Sequence, residues 1–231
     1  MLVGLTNETT RQDWVKRVLS GLPAGWRILD AGAGEQPYRQ FCGHLRYVSQ
    51  DFAKYDGKGD GIGKHMGKWE QQGLDIICDI TSIPEPDGSF DAVLCTEVLE
   101  HLPDPLAALR ELTRLLRGGG ILILTAPFCS WVHFSPYFYC SGFSRNFYEH
   151  WLGVFGYEIV ELKYNGNFFE FLAQELRRLR TVARDYVGQP PGWLERRAIG
   201  CLLRFLDRLS RTDQRSHELA AYGIFVRAVK K

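Results

Sequence analysis

The segment Ile28-Leu29-Asp30-Ala31-Gly32-Ala33-Gly34 constrains the fold of this chain more than any other. An apolar run that begins at Trp26 ends in an acid and two glycines spaced by one residue. Read physically, this is a buried strand that stops and turns sharply. The glycines permit positive φ and let the backbone approach a ligand with no Cβ in the way. Taken alone, the pattern also fits a tight strand-to-helix turn that holds nothing.

The partners of this turn follow in order. Arg46-Tyr47-Val48-Ser49-Gln50-Asp51 reads as a second strand ending in an acid. Leu74 to Ile80 reads as a third, ending in Asp79-Ile80. Phe90 to Cys95 reads as a fourth and runs into Thr96-Glu97-Val98-Leu99-Glu100-His101-Leu102-Pro103-Asp104-Pro105. Three glycines, 118 to 120, precede a fifth apolar run from Ile121 to Pro127. This ordered set resembles the class I S-adenosylmethionine-dependent methyltransferases of the small-molecule, type 11 group, over roughly residues 24 to 165. One position departs from the family pattern: Gln36 stands where a third glycine is usual.

The resemblance implies an α/β fold. Its sheet is Rossmann-like, doubly wound, seven-stranded and mostly parallel, with an antiparallel last strand. It also implies S-adenosylmethionine as cofactor, with S-adenosylhomocysteine as product, bound outside the carboxyl ends of the strands. Gly32 and Gly34 would pass close to its amino-acid and ribose parts. Asp30 would organise the turn or reach the ammonium through water, unless it caps the next helix. Asp51 has two acceptor oxygens suited to both ribose hydroxyls, and Phe52 can lie against the adenine. Asp79 would accept from the adenine amino group, with Ile80 as a backbone donor and apolar wall. Thr96 would make backbone contact with the methionine part.

The reacting groups are sought after the fourth and fifth strands. His101 is a candidate general base, its ordinary pKa being roughly 6.5, although it and Glu100 could simply open the following helix. Pro127 to Arg145 is rich in aromatics with polar tips and suits a small amphipathic acceptor such as a sugar. His133 is the first choice for a base there, unless it only ties the loop down. Tyr137 and Tyr139 are candidates for holding the acceptor. The sequence shows no metal-ligand triad, so none is assigned.

Other segments carry their own expectations. Thr10 to Ser20 has helical spacing, as does Asp104 to Leu116, where Leu106, Leu109, Leu112, Leu115 and Leu116 form the apolar stripe. Phe143 to Phe155 reads as a further helix, and Gly156 to Leu162 and Ala221 to Val229 as the last two strands. Residues 53 to 73 are too rich in glycine for a helix. They read as a long loop, either a spacer or a fold over the cofactor or substrate. Between the last two strands lies a helical insertion, residues 168 to 216. From Arg177 to Arg215 it carries ten arginines against four acids. It could cap the core, join a homodimer or make peripheral contact with a membrane surface.

With 231 residues, one domain spanning 1–231 is expected. A net charge of +1 gives no strong field toward nucleic acid. No apolar run is long enough for a membrane span. Met1 to Arg17 has acids, bases and no apolar core, so a signal peptide is not expected. Six cysteines without paired metal spacing suggest a reducing, cytoplasmic setting. The expected activity is methyl transfer to a hydroxyl or amine of a small molecule, such as a sugar or glycolipid precursor. The alternatives are a nucleic-acid methyltransferase, against which no Asn/Asp-Pro-Pro-Tyr motif follows the fourth strand, and a non-catalytic cofactor-binding partner protein.

Overall fold

The structure, a computed structural model, describes residues 2–231. Its contacts divide the chain into two compact units. The larger comprises Gln12–Lys163 and Gly223–Lys231; the smaller comprises Tyr164–Tyr222 and the segment before Gln12.

The larger unit is built on the sheet. In chain order its elements are β1 (Arg27–Ala31), β2 (Arg46–Asp51), β3 (Ile76–Ile77), β4 (Phe90–Thr96), α1 (Pro105–Leu115), β5 (Leu116–Pro127), α2 (Arg145–Val154), β6 (Tyr157–Asn165) and β7 (Gly223–Lys230). The strand order is β3-β2-β1-β4-β5-β7-β6. β1 pairs in parallel with β2 and β4, β2 with β3, and β4 with β5, whereas β7 runs antiparallel to β5. The doubly wound sheet with an antiparallel last strand is therefore as expected. All five parallel strands end on one edge, where ligands bind in such sheets.

The core forms as the apolar spacing dictates. An opening helix, Asn7–Ser20, starts three residues earlier than the spacing suggests and buries Trp14, Val15, Val18 and Leu19. These pack with Ile28, Leu94, Ile123 and Phe225 from three parallel strands and β7. α1 starts at Asp104, whose Oδ1 accepts from the N–H groups of Leu106 and Ala107. It buries Leu109, Leu112 and Leu115.

Other boundaries also differ from the sequence expectation. α1 stops at Leu115 and Leu116 already begins β5, so the glycine run lies inside the strand. The expected third strand shrinks to Ile76–Ile77. Asp75 instead takes both the N–H and hydroxyl of Ser49, and Asp79 turns the chain by accepting from Thr81. Cys78, expected in that strand, is half-buried outside it. α2 buries Tyr148 and Leu152, with Phe147 and Trp151 left half-buried.

The smaller unit contains the basic helices, α3 (Phe168–Val182) and α4 (Trp193–Thr212). A π-helical turn, Ala183–Val187, follows α3. Val3, Ala173, Leu203 and Leu206 make its apolar centre.

Candidate active site

The turn after β1 is held by the sheet itself. The N–H groups of Gly32 and Ala33 donate to the carbonyl of Gln50. Gly34 donates its N–H to Asp51 Oδ2 at 2.9 Å. A Cβ on Gly32 would meet Val98 at 2.5 Å and one on Gly34 would meet Trp69 at 2.9 Å. Both glycines are thus required by close approach as well as by positive φ. Gln36 adopts φ +56, the conformation a glycine would take there. Its side chain compensates by donating to the carbonyl of Gln72 and accepting from Arg39.

Asp30 is buried and accepts a 2.5 Å hydrogen bond from the Tyr47 hydroxyl. It neither caps a helix nor faces solvent. Burial pushes its pKa up to about 7; the Tyr47 hydrogen bond opposes this and the Asp51 charge adds to it. Asp51 is also buried. Its Oδ1 accepts from the Ala53 N–H and from Gln71 Nε2 at 2.8 Å. Phe52 meets Tyr137 edge-on at 5.0 Å between centroids, joining the end of β2 to the loop after β5. Asp79 is exposed, and hydrogen bonds from the Thr81 N–H and hydroxyl hold its carboxyl below the usual range. Ile80 is buried beside it. Thr96 ends β4 opposite Thr125.

The loop of residues 53–73 is a fold over this edge. Trp69 lies against Gly34 and packs edge-on to Tyr55 and Phe134. Its indole N–H is buried with no acceptor among the described residues. Lys64 forms a bridge with His133: its N–H donates to the Val132 carbonyl and its carbonyl accepts from the Phe134 N–H. Ser135 donates its hydroxyl to Asp60 at 2.8 Å. The glycine-rich loop and the aromatic loop are therefore one structure.

The two candidate bases meet. The His101 and His133 rings lie 4.7 Å apart, nearly perpendicular. His101 donates from Nδ1 to the Tyr137 carbonyl at 2.6 Å, and His133 from Nδ1 to the Trp131 carbonyl at 2.8 Å. A carbonyl can only accept, so both neutral rings keep their lone pair on Nε2. Burial, then the neighbouring His133, pushes the pKa of His101 down to about 4. Glu100 is fully buried, with Oε1 3.7 Å from His101 Nε2.

Glu100, His101 and His133 form a group in which one ligand atom from each lies within 4.8 Å of the others. No such grouping is visible in the sequence. His133 is thirty-two positions from His101, so linear spacing cannot reveal the group. Tyr137 takes part through its carbonyl and ring. Tyr139 is exposed and tied to the Glu100 carbonyl by its backbone N–H, so the structure does not gather its phenol with the other candidates. Sequence reasoning also missed Tyr47, Trp69 and Gln71 as site residues, because their roles arise only where loops cross.

The sheet order, the glycine turn and the acid ending β2 are arranged as in the Rossmann-like methyltransferase fold. Residues 29–124 match the family model described as a methyltransferase domain, of the type 11 group. A protein of Xanthomonas axonopodis pv. citri named ubiquinone biosynthesis O-methyltransferase is 56% identical over 106 residues, 45% of this chain and 44% of its own length. Its namesake from Xanthomonas campestris pv. campestris is 58% identical over 41 residues, 18% of this chain and 17% of its own. The chain thus matches less than half the length of these relatives. A SAM-dependent methyltransferase from Archaeoglobus fulgidus superposes with a TM-score of 0.56 at 13% identity, covering 97% of this chain and 94% of that one. A geranyl diphosphate methyltransferase complexed with GPP and sinefungin also reaches 0.56, at 12% identity, covering 97% and 79%.

The residues present fit S-adenosylmethionine. The turn has no Cβ at two close approaches, Asp51 has an oxygen held by the displaceable Gln71, and the Trp69 N–H lacks an acceptor. No helix among the described residues is long and apolar enough to cross a membrane.

Proposed function

We propose that the protein transfers the methyl group of S-adenosylmethionine to a hydroxyl oxygen of a small molecule. The observation that carries this reading is the paired histidines that follow β4 and β5, each with Nδ1 donating to a backbone carbonyl and its lone pair therefore on Nε2. Bound cofactor supplies a methyl group on a good leaving group, so the protein must align the acceptor and receive its proton. Asp51 would hold the ribose, Gly32 and Gly34 admit the chain toward the amino acid, and Phe52 and Ile80 flank the adenine. Asp30 keeps the turn closed through Tyr47. His133 Nε2 takes the hydroxyl proton, and His101, beside it, sets its position. Trp131, Phe134, Tyr137 and Phe138 offer aromatic walls to an amphipathic acceptor. The names of the Xanthomonas relatives support oxygen as the acceptor atom.

Turnover with isotopically labelled S-adenosylmethionine tests this. Hydroxylated aromatic acceptors come first, then sugar and glycolipid precursors. Label recovered on an acceptor oxygen is the expected result, and His133→Ala should lower turnover about 10²-fold with cofactor affinity nearly intact. Label on nitrogen or on an oligonucleotide would overturn the choice of acceptor. Tight cofactor binding without turnover would favour a non-catalytic partner protein.

A further inference from the structure

We infer that Glu100, His101 and His133 form a binding site for one borderline divalent cation of the zinc or cobalt kind. Their ligand atoms already converge to within 4.8 Å. Zinc–nitrogen and zinc–oxygen bonds of about 2.0–2.2 Å in a tetrahedron put neighbouring ligand atoms roughly 3.4 Å apart. Glu100 Oε1 and His101 Nε2, at 3.7 Å, stand close to that separation.

The surroundings are prepared for a metal. A ligating histidine normally donates its other N–H to a carbonyl or carboxylate, which fixes the tautomer and the ring orientation. His101 does this toward Tyr137 and His133 toward Trp131. Each ring therefore presents an Nε2 lone pair. Glu100 has no solvent exposure and brings a carboxylate oxygen to this group. Two nitrogens and one oxygen suit zinc, cobalt or iron(II); magnesium and calcium select oxygen-only sets. Three protein ligands leave a position for water or for an acceptor oxygen. With the cation bound, the two Nε2 lone pairs are its ligands, so the cation would block the proton transfer proposed for His133, and turnover is read on the cation-free protein. The inference rests on the proposed methyl transfer only for placing the acceptor nearby.

The test uses the full chain after chelator treatment, without cofactor or acceptor. Cobalt(II) should bind with one-to-one stoichiometry, give a visible ligand-field band without thiolate charge transfer, and be displaced by zinc. His133→Ala and Glu100→Gln should each weaken cobalt binding roughly tenfold or more. His150→Ala, at an exposed histidine elsewhere, should not change it. If Glu100→Gln fails to fold, His133→Ala decides, because that residue is only half-buried. Folded wild-type protein that binds no cobalt, or unchanged affinity in His133→Ala, would overturn the site. A thiolate band would also overturn it, assigning the cobalt to Cys140, whose N–H contacts the Glu100 carbonyl. Calorimetry with S-adenosylmethionine on the same chelated sample keeps the outcomes separate: cofactor binding without cobalt binding sinks the metal site and leaves methyl transfer standing.

Discussion

Single side chains decide whether the cofactor edge works, and Asp51 is the most heavily used of them. It holds Gly34 from one oxygen and Ala53 and Gln71 from the other. Asp51→Ala should weaken S-adenosylmethionine binding by about 1.5–3 kcal/mol, the range for a hydrogen bond to a charged group. Gln71→Ala removes a competing donor and should strengthen binding by about 0.5–1.5 kcal/mol. Calorimetry reads both; equal losses in the two variants would mean that Gln71 holds the cofactor itself. Asp30 gives a pH test. Its folded pKa of about 7 lies above the unfolded 3.8. Between those values the folded chain keeps a proton that the unfolded chain has lost, so stability falls as pH rises through the window and levels off above it. Asp30→Asn cannot titrate. Its stability relative to wild type should rise from about pH 4 to pH 7, by a few kcal/mol at most, and then stay constant. A flat difference in urea unfolding would place the Asp30 carboxyl at its ordinary pKa. Asp51 and the two glycines could be read from the sequence because strand ends announce themselves. Tyr47 could not: a tyrosine at a half-buried strand position looks like packing until its hydroxyl is seen on Asp30.

At the scale of elements, the sequence shows the sheet more clearly than the loops. Apolar runs located every parallel strand, the first three with a terminating acid, and only β3 came out shorter than expected, since its polar residues are spent on turns and on Ser49. The loop of residues 53–73 announced itself as a non-helix, but glycine density alone does not tell a spacer from a cover. Its glycines separate into two kinds. Gly61 and Gly63 both have positive φ. A Cβ on Gly61 would meet nothing, whereas one on Gly63 would collide with the Val132 carbonyl of the aromatic loop. Gly61→Ala should therefore cost only backbone strain, about 1 kcal/mol, with turnover per folded molecule unchanged. Gly63→Ala should also push the loop carrying His133 away and lower turnover at least several-fold. Thermal melting with parallel turnover assays distinguishes the two. Equal behaviour would show that the loops do not act together.

For the molecule as a whole, the question is what the basic unit does with its charge. The chain carries a net +1, yet ten arginines lie between Arg177 and Arg215. Several are already engaged: Arg178 pairs with Glu175, Arg184 with Asp185, Arg211 with Asp207 and Arg215 with Glu218. Such pairs contribute little to stability, but each removes part of the field that a lipid surface would feel. The apolar side chains of α4 are also divided. Leu203 and Leu206 are buried within the unit, while Trp193, Leu194, Leu202 and Phe205 remain exposed. An interfacial helix needs an uninterrupted apolar face together with free cationic charge, each arginine near an anionic surface adding about 1 kcal/mol. With the charge partly neutralised and the exposed apolar residues of α4 interrupted by arginines, the full chain should not float with phosphatidylserine vesicles. Light scattering on the same sample reports whether a second copy covers Leu202 and Phe205. If the protein does float as a monomer, and the bound fraction fades as salt rises, then the arginines act on lipid. The acceptor would then be sought at a membrane surface, among glycolipid precursors.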